Sequence, residues 1–236
     1  MKYGIILGAM RCGTTSLYNY LIQHPEVCPA IIKEPAFFLN KPKWQYIHVD
    51  NYNDLWEFDS TIHKIAIEAS TSYTRHPAFN KDVPKNIYNY GIKPKFVYCV
   101  RNPFDRILSH YNYFKRIKEI DDDILKLQGA IDISNYYYQL QQYRRYFPKE
   151  DFLIVDFDDI CNNTEKVLSQ IYGFFNIKHL SLDTTRIYNM TKDIPGTGNH
   201  KDRLTSIERE QIKRILGVDM KKFGDEYNLN VSKWGF

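Results

Sequence analysis

The stretch that most constrains this chain is its first twenty residues. An apolar run, Tyr3-Gly4-Ile5-Ile6-Leu7, leads into Gly8-Ala9-Met10-Arg11-Cys12-Gly13-Thr14-Thr15-Ser16 and then into the amphipathic Leu17-Tyr18-Asn19-Tyr20-Leu21. That order predicts a strand, a glycine-bounded loop and a helix. Such a unit cradles an anion, because glycines let the backbone approach a ligand, successive N–H groups converge and the helix dipole adds positive charge. The hydroxyls of Thr14, Thr15 and Ser16 fall at the helix start, where they cap it or donate to the anion.

Gly8 and Gly13 have the spacing of the nucleotide-hydrolase loop G-x-x-x-x-G-K-[ST], but Thr14 stands where that loop has its lysine. The cation inside the loop is Arg11, on the other side of Gly13. The cradle is kept and the charge has moved, which disfavours an ordinary ATPase or kinase.

The rest of the chain supplies the sheet that such a loop needs. Ile65–Ala69, Lys95–Val100 and Phe152–Asp156 are short apolar runs of the kind buried in a parallel sheet. Helical patterns lie between and after them: 78–90 with an interruption near Pro84 and a stop at Gly91, 103–118 opened by Pro103, 133–147, and 164–175. Thr205 with Glu208 forms a capping box for a late helix. Residues 40–60, with Trp44, Tyr46, Tyr52 and Trp56, show no clear period and are expected to form a surface excursion with one short helix, its rings either lining a sugar cleft or packing into the core. The segment 189–203 is glycine-rich, basic and loop-like. The alternation predicts one domain over 1–236 of class α/β, a three-layer α/β/α with a central parallel sheet.

Composition narrows the partners. A net charge of +4 suits an anionic ligand but is too small to point to nucleic acid. Cys12, Cys28, Cys99 and Cys161 form no C-x-x-C pair, which argues against a zinc site or a disulfide framework. Asp121-Asp122-Asp123 reads as a solvated loop, so no metal is expected. No stretch approaches the roughly 18–20 apolar residues of a membrane span, and the start of the chain lacks a signal pattern. A cytoplasmic location is expected, and the oligomeric state is left open.

In an open α/β sheet ligands bind beyond the carboxyl ends of the strands. Four polar clusters can reach that edge: the Arg11 loop, Glu34, the pair Arg101 and Ser109, and the basic residues His200, Lys201 and Arg203. Each has a bland alternative as surface charge or helix hydroxyl, and Arg101 could simply pair with Asp105. Together they form a pattern. Arg11-Cys12-Gly13-Thr14-Thr15-Ser16-Leu17 resembles the 5′-phosphosulfate loop of sulfotransferases that use 3′-phosphoadenylyl sulfate (PAPS). Arg101-Asn102-Pro103 through Ser109-His110-Tyr111 resembles their 3′-phosphate motif, and Lys33-Glu34-Pro35-Ala36-Phe37-Phe38 resembles a K-E-x-x-F-F piece of the carbohydrate, heparan-sulfate-type branch.

The resemblance implies the P-loop-like sulfotransferase fold and a set of roles. Arg11, Cys12, Gly13, Thr14, Thr15 and Ser16 would hold the 5′-phosphosulfate of PAPS. Arg101 and Ser109 would hold the 3′-phosphate, and His200, Lys201 and Arg203 would gate the nucleotide. Glu34 would be the base for a hydroxyl or amine acceptor, most simply a glycan, and Arg11 would stabilise charge on the sulfuryl group, leaving PAP as product. Three positions depart from the pattern: Arg11 replaces a frequent lysine, Glu68 is followed by Ala69 rather than lysine, and Ala36 replaces a frequent histidine. Two other readings stay open: a P-loop kinase or NTPase with Phe152–Asp156 as its acidic strand, and a non-catalytic nucleotide-binding module.

Overall fold

The apolar runs become one sheet. β1 (Tyr3–Gly8), β2 (Val27–Pro29), β3 (Ile65–Ala69), β4 (Lys95–Val100) and β5 (Phe152–Asp156) lie in the order β2-β3-β1-β4-β5, and every neighbouring pair is parallel. The computed structural model describes residues 1–39, 49–77, 81–117, 123–126, 128–186, 188 and 201–236. The helices are α1 (Thr14–Leu21), α2 (Val83–Tyr90), α3 (Pro103–Ile117), α4 (Gln128–Ile133), α5 (Tyr136–Arg144), α6 (Phe157–Asn162), α7 (Thr164–Phe175) and α8 (Ser206–Tyr227).

All five residues of β3, and all but the first of β1 and β4, are buried. Unbroken burial along a strand means both faces of the sheet are covered, which is what a parallel sheet with helical crossovers requires. The chain leaves β1 towards β3 and β2 and leaves β4 towards β5, so the switch point lies between β1 and β4. That crevice is the favoured ligand site of the fold.

Several local expectations hold in detail. Gly91 ends α2 in the left-handed conformation, at φ 87°, and Thr205 and Glu208 form the reciprocal capping box of α8. Others need correction. Pro84 lies in the first turn of α2, where a missing N–H costs nothing, so it opens the helix rather than interrupting it. The expected helix over 133–147 is shorter: within that span only α5, Tyr136–Arg144, is helical beyond Ile133, which ends α4, and Ser134 and Asn135 separate the two. Residues 52–56 are not a surface excursion: Tyr52, Leu55 and Trp56 are core, and Tyr52 packs against Phe38 and Trp56 at ring distances of 4.6 and 4.7 Å. The edge strand β2 was not anticipated; three residues are too few to show a period. Trp44, Tyr46, Ala78, Lys118, Asp121, Asp122 and residues 189–200, His200 included, lie outside the described residues.

Candidate active site

The loop after β1 is shaped by two glycines. Gly8 has φ 132°, and a Cβ there would stand 2.5 Å from the Thr74 hydroxyl; Gly13 has φ 79° and is the N-cap of α1. Only glycine adopts these conformations without strain. Gly13 offers no side chain to cap the helix, so the first-turn amides of α1, which have no intrahelical acceptor, are left for a ligand.

These amides open into a cavity of about 930 Å³ at the switch point, large enough for a nucleotide-sized ligand. Arg11, Gly13, Thr14, Thr15, Ser16, Glu34, Arg101 and Ser109 all line it, so the structure joins motifs more than ninety positions apart in sequence. The Arg11 Nε donates to Ser109 Oγ at 3.1 Å, and Arg101 Nη1 donates to the Arg11 carbonyl at 3.3 Å. Ser109 is two turns into α3, and that helix does pass close enough to bring its hydroxyl back to the loop.

Each arginine is held against a ring. The Arg11 guanidinium lies 5.1 Å from the centre of the Tyr113 ring, and that of Arg101 lies 4.3 Å from the centre of Phe157. Burial, then the nearby Arg101 charge, lowers the pKa of Arg11. It stays protonated at neutral pH, because an arginine starts so high. Two like charges held side by side in a partly dry crevice make a site that favours an anion between them.

Other expected residues are placed differently. The Cys12 thiol is fully buried beneath the loop, against the Tyr136 hydroxyl at 3.9 Å, and burial pushes its pKa up to about 11. Its amide donates to the Ala9 carbonyl at 3.2 Å. The Ser16 hydroxyl accepts the amide of Tyr188 at 3.0 Å. Lys201 joins Asn112 by two backbone contacts and pairs with Glu208 at 2.6 Å, while Arg203 is exposed; neither lines the cavity.

Glu34 reaches the cavity from the segment after β2, on a backbone at φ 60°. Lys33 Nζ donates to its Oε1 at 2.9 Å and Thr71 Oγ1 to its Oε2 at 3.1 Å. The pair with Lys33 is half exposed, so it orients the carboxylate more than it stabilises the fold. Thr71 and Arg75 lie in the turn after β3 and complete this end of the site. Burial lowers the pKa of Arg75, and the Glu34 charge opposes that.

Sequence reasoning missed Thr71, Arg75, Asn112 and Phe157, all of which line the cavity. Thr71, Arg75 and Phe157 follow the carboxyl end of a strand, and that position was the available signal. Arg106 was also missed. It is fully buried, with Nε on Ser134 Oγ at 2.6 Å, and donates through its two Nη groups to the carbonyls of Met10 and Ala130. It fastens the loop to α3 and α4 from behind.

Asp156, the acid of the alternative kinase reading, is committed elsewhere. It accepts the Asp158 amide at 3.0 Å as the N-cap of α6 and pairs with Lys233 at 2.5 Å. It does not line the cavity.

Comparison with known proteins gives a consistent family. Residues 3–224 match the sulfotransferase domain model. Among relatives, heparan sulfate glucosamine 3-O-sulfotransferase 5 of Mus musculus is 28% identical over 204 residues, covering 80% of this chain and 57% of that protein. Carbohydrate sulfotransferase 15 of Mus musculus is 23% identical, covering 75% of this chain and 44% of that protein. The chain thus spans about half the length of these relatives. Among solved structures, a sulfotransferase from Alicyclobacillus acidocaldarius superposes with a TM-score of 0.76 at 18% identity, covering all of this chain and 99% of the other. Mouse sulfotransferase SULT7A1 complexed with PAP does so at 0.63 and 12%, covering all of this chain and 89% of the other.

Proposed function

The chain belongs to the sulfotransferase domain family, and from that premise we propose that it moves a sulfuryl group from PAPS to a hydroxyl or amine acceptor, a glycan in the first instance. The observation that carries this reading is the meeting of Arg11, Arg101 and Ser109 around an uncapped helix N-terminus, with the Glu34 carboxylate lining the same cavity.

The chemistry follows from charge and position. Sulfuryl transfer, like phosphoryl transfer, is an in-line displacement with charge spread over equatorial oxygens, so alignment and fixed positive charge dominate. The acceptor oxygen or nitrogen bonds to sulfur as the bond from sulfur to the bridging phosphate oxygen breaks. The acceptor proton passes to Glu34, and PAP leaves with the electron pair. Arg11 and the first-turn amides of α1 stabilise the sulfuryl oxygens and the departing oxygen. Arginine does this as a charge, since it does not give up a proton at neutral pH. Arg101 and Ser109 take the 3′-phosphate, and Thr14, Thr15 and Ser16 take the 5′ end. Arg75, beside Glu34 and Thr71, supplies the acceptor-side cation that Ala69 does not. Lys201 and Arg203, with His200 outside the described residues, belong to the proposed gate.

The glycan preference rests on the heparan sulfate and carbohydrate sulfotransferases among the relatives and on the K-E-x-x-F-F resemblance. No helix among the described residues is long and apolar enough to cross a membrane. The cytoplasmic location is part of the same proposal, supported by the scattered cysteines and testable by fractionation. Incubation with PAPS labelled in the sulfuryl group and a panel of glycan, phenol and amine acceptors tests the activity. Label should reach an acceptor at the same rate with magnesium or with a chelator. Transfer of phosphoryl groups from ATP, dependent on magnesium, would replace this reading with the kinase one.

A further inference from the structure

The segment that carries Glu34 is held in an unfavourable shape, and something has to hold it. Glu34 has φ 60° and Ala36 φ 52°, both left-handed without being glycine; each costs about 1 kcal/mol or more relative to ordinary backbone. Two amides of this segment are anchored by side chains across the core. The Ala36 amide donates to Ser70 Oγ at 3.1 Å, and the Phe38 amide donates to the Tyr73 hydroxyl at 3.2 Å.

Both anchors converge on one group. Ser70 donates on to Glu68 Oε2 at 2.5 Å, and Tyr73 donates to Glu68 Oε1 at 3.1 Å, where Tyr52 adds a third hydroxyl at 2.8 Å. Glu68 itself is wholly inaccessible to solvent, at the end of β3. A buried carboxylate is expensive, and three hydroxyl donors are what makes it tolerable. The same turn sends Thr71 to the Glu34 carboxylate. One short stretch, 68–73, therefore fixes both the backbone and the side chain of the proposed base.

We propose that Glu68 is a positioning residue: its carboxylate, acting through the hydroxyls of Ser70 and Tyr73, sets the conformation of the 34–38 segment and so aims Glu34 at the acceptor. This rests on the reading of Glu34 as the base. As a carboxylate Glu68 only accepts, so both hydroxyls must point their protons at it and their lone pairs at the amides. When it is neutral, that polarity is no longer enforced.

The charge of Glu68 changes in the working range. Burial raises its pKa to about 7, against the lowering effect of the Ser70, Tyr52 and Tyr73 hydrogen bonds. The other groups facing it are Tyr18 of α1, Tyr143 of α5 and Glu34. Tyr18, Tyr52, Tyr73 and Tyr143 are all raised by burial and stay neutral. Turnover should fall as pH drops through about 7.

The test uses the full chain with PAPS and an acceptor that it sulfates, plus hydrogen exchange of residues 35–39. Glu68→Gln keeps the shape but donates a hydrogen bond. It should lower kcat about tenfold, remove the limb near pH 7, speed exchange at Ala36 and Phe38, and leave PAP affinity within twofold. Ser70→Ala and Tyr73→Phe each remove one anchor and should lower kcat and speed exchange more weakly, with the pH limb moved upward because a hydrogen bond that lowers the Glu68 pKa is lost; they cover a Glu68→Gln protein that fails to fold. Unchanged exchange and an unchanged pH limb in these variants would overturn the proposal. Faster exchange with normal kcat would also overturn it, provided Glu34→Gln is inactive. If exchange quickens while Glu34→Gln turns over normally, the base reading fails and Glu68 remains the support of the segment.

Discussion

The two ends of the cavity are built in different ways. The donor end is made from backbone: Gly8 and Gly13 shape the loop, the uncapped start of α1 presents amides, and Arg11 and Arg101 are held by nearby partners. The acceptor end is made from side chains that reach through the core: Glu34 depends on Thr71 directly and on Ser70, Tyr73 and Glu68 at one remove. The shape of the loop is set by its own glycines, and Arg101, Arg106 and Ser109 hold it from one helix and its start. A relay site depends on every member and is sensitive to the protonation of one.

That contrast can be broken by substitution, and the largest effect belongs to the acceptor end. Glu34→Gln should lower kcat by about 10²- to 10⁴-fold, the range of general-base catalysis, with PAP affinity retained in calorimetry. Equal turnover would move the base elsewhere. Next is the pH dependence of stability. Because Glu68 rises from 4.5 to about 7 on folding, the folded state holds a proton that the unfolded state has lost between those values. Its contribution is therefore complete below pH 4.5 and is lost as pH climbs through 7, by about 3 kcal/mol at 1.36 kcal/mol per unit. Urea titrations of the wild type and Glu68→Gln at pH 5 and pH 8 should differ by that slope, and parallel curves would mean that Glu68 is not buried as an acid.

At the donor end the effects are smaller. Arg101→Ala should weaken PAP binding about 10- to 100-fold, the worth of a hydrogen bond to a charged group, and leave ADP nearly unchanged. Equal losses for the two ligands would contradict a 3′-phosphate role. Gly13→Ala should cost about 1–3 kcal/mol of stability. Its Cβ would meet Phe157 at 3.0 Å, the ring on which Arg101 rests, so donor affinity should fall too. Smallest is Lys201→Ala, whose partly exposed pair with Glu208 is worth under about 1 kcal/mol in a thermal melt.

The same contrast explains what could be read from the chain. The donor loop was legible because its chemistry is local: two glycines at fixed spacing, an arginine between them and hydroxyls at a helix start. β3, β4 and β5 were legible because buried parallel strands are short, unbroken apolar runs. Residues 52–56 misled because an irregular aromatic stretch has no period to mark which side is buried, and only tertiary packing puts Tyr52 and Trp56 inside. In sequence Glu68 shows only as a carboxylate lacking a lysine neighbour, and nothing beyond its place after a strand marks Thr71. Their use depends on Glu34, some thirty-five residues away, and no spacing rule links them. Arg75 was hidden for the same reason.

The most direct test of donor class is calorimetric titration of the protein with PAP and with ADP, of which only PAP carries the 3′-phosphate that Arg101 and Ser109 are proposed to bind, with AMP as the control that differs from PAP by that phosphate alone. The account predicts that PAP binds at least tenfold more tightly, without added magnesium. Equal affinities, or a preference for ADP that needs magnesium, would contradict it.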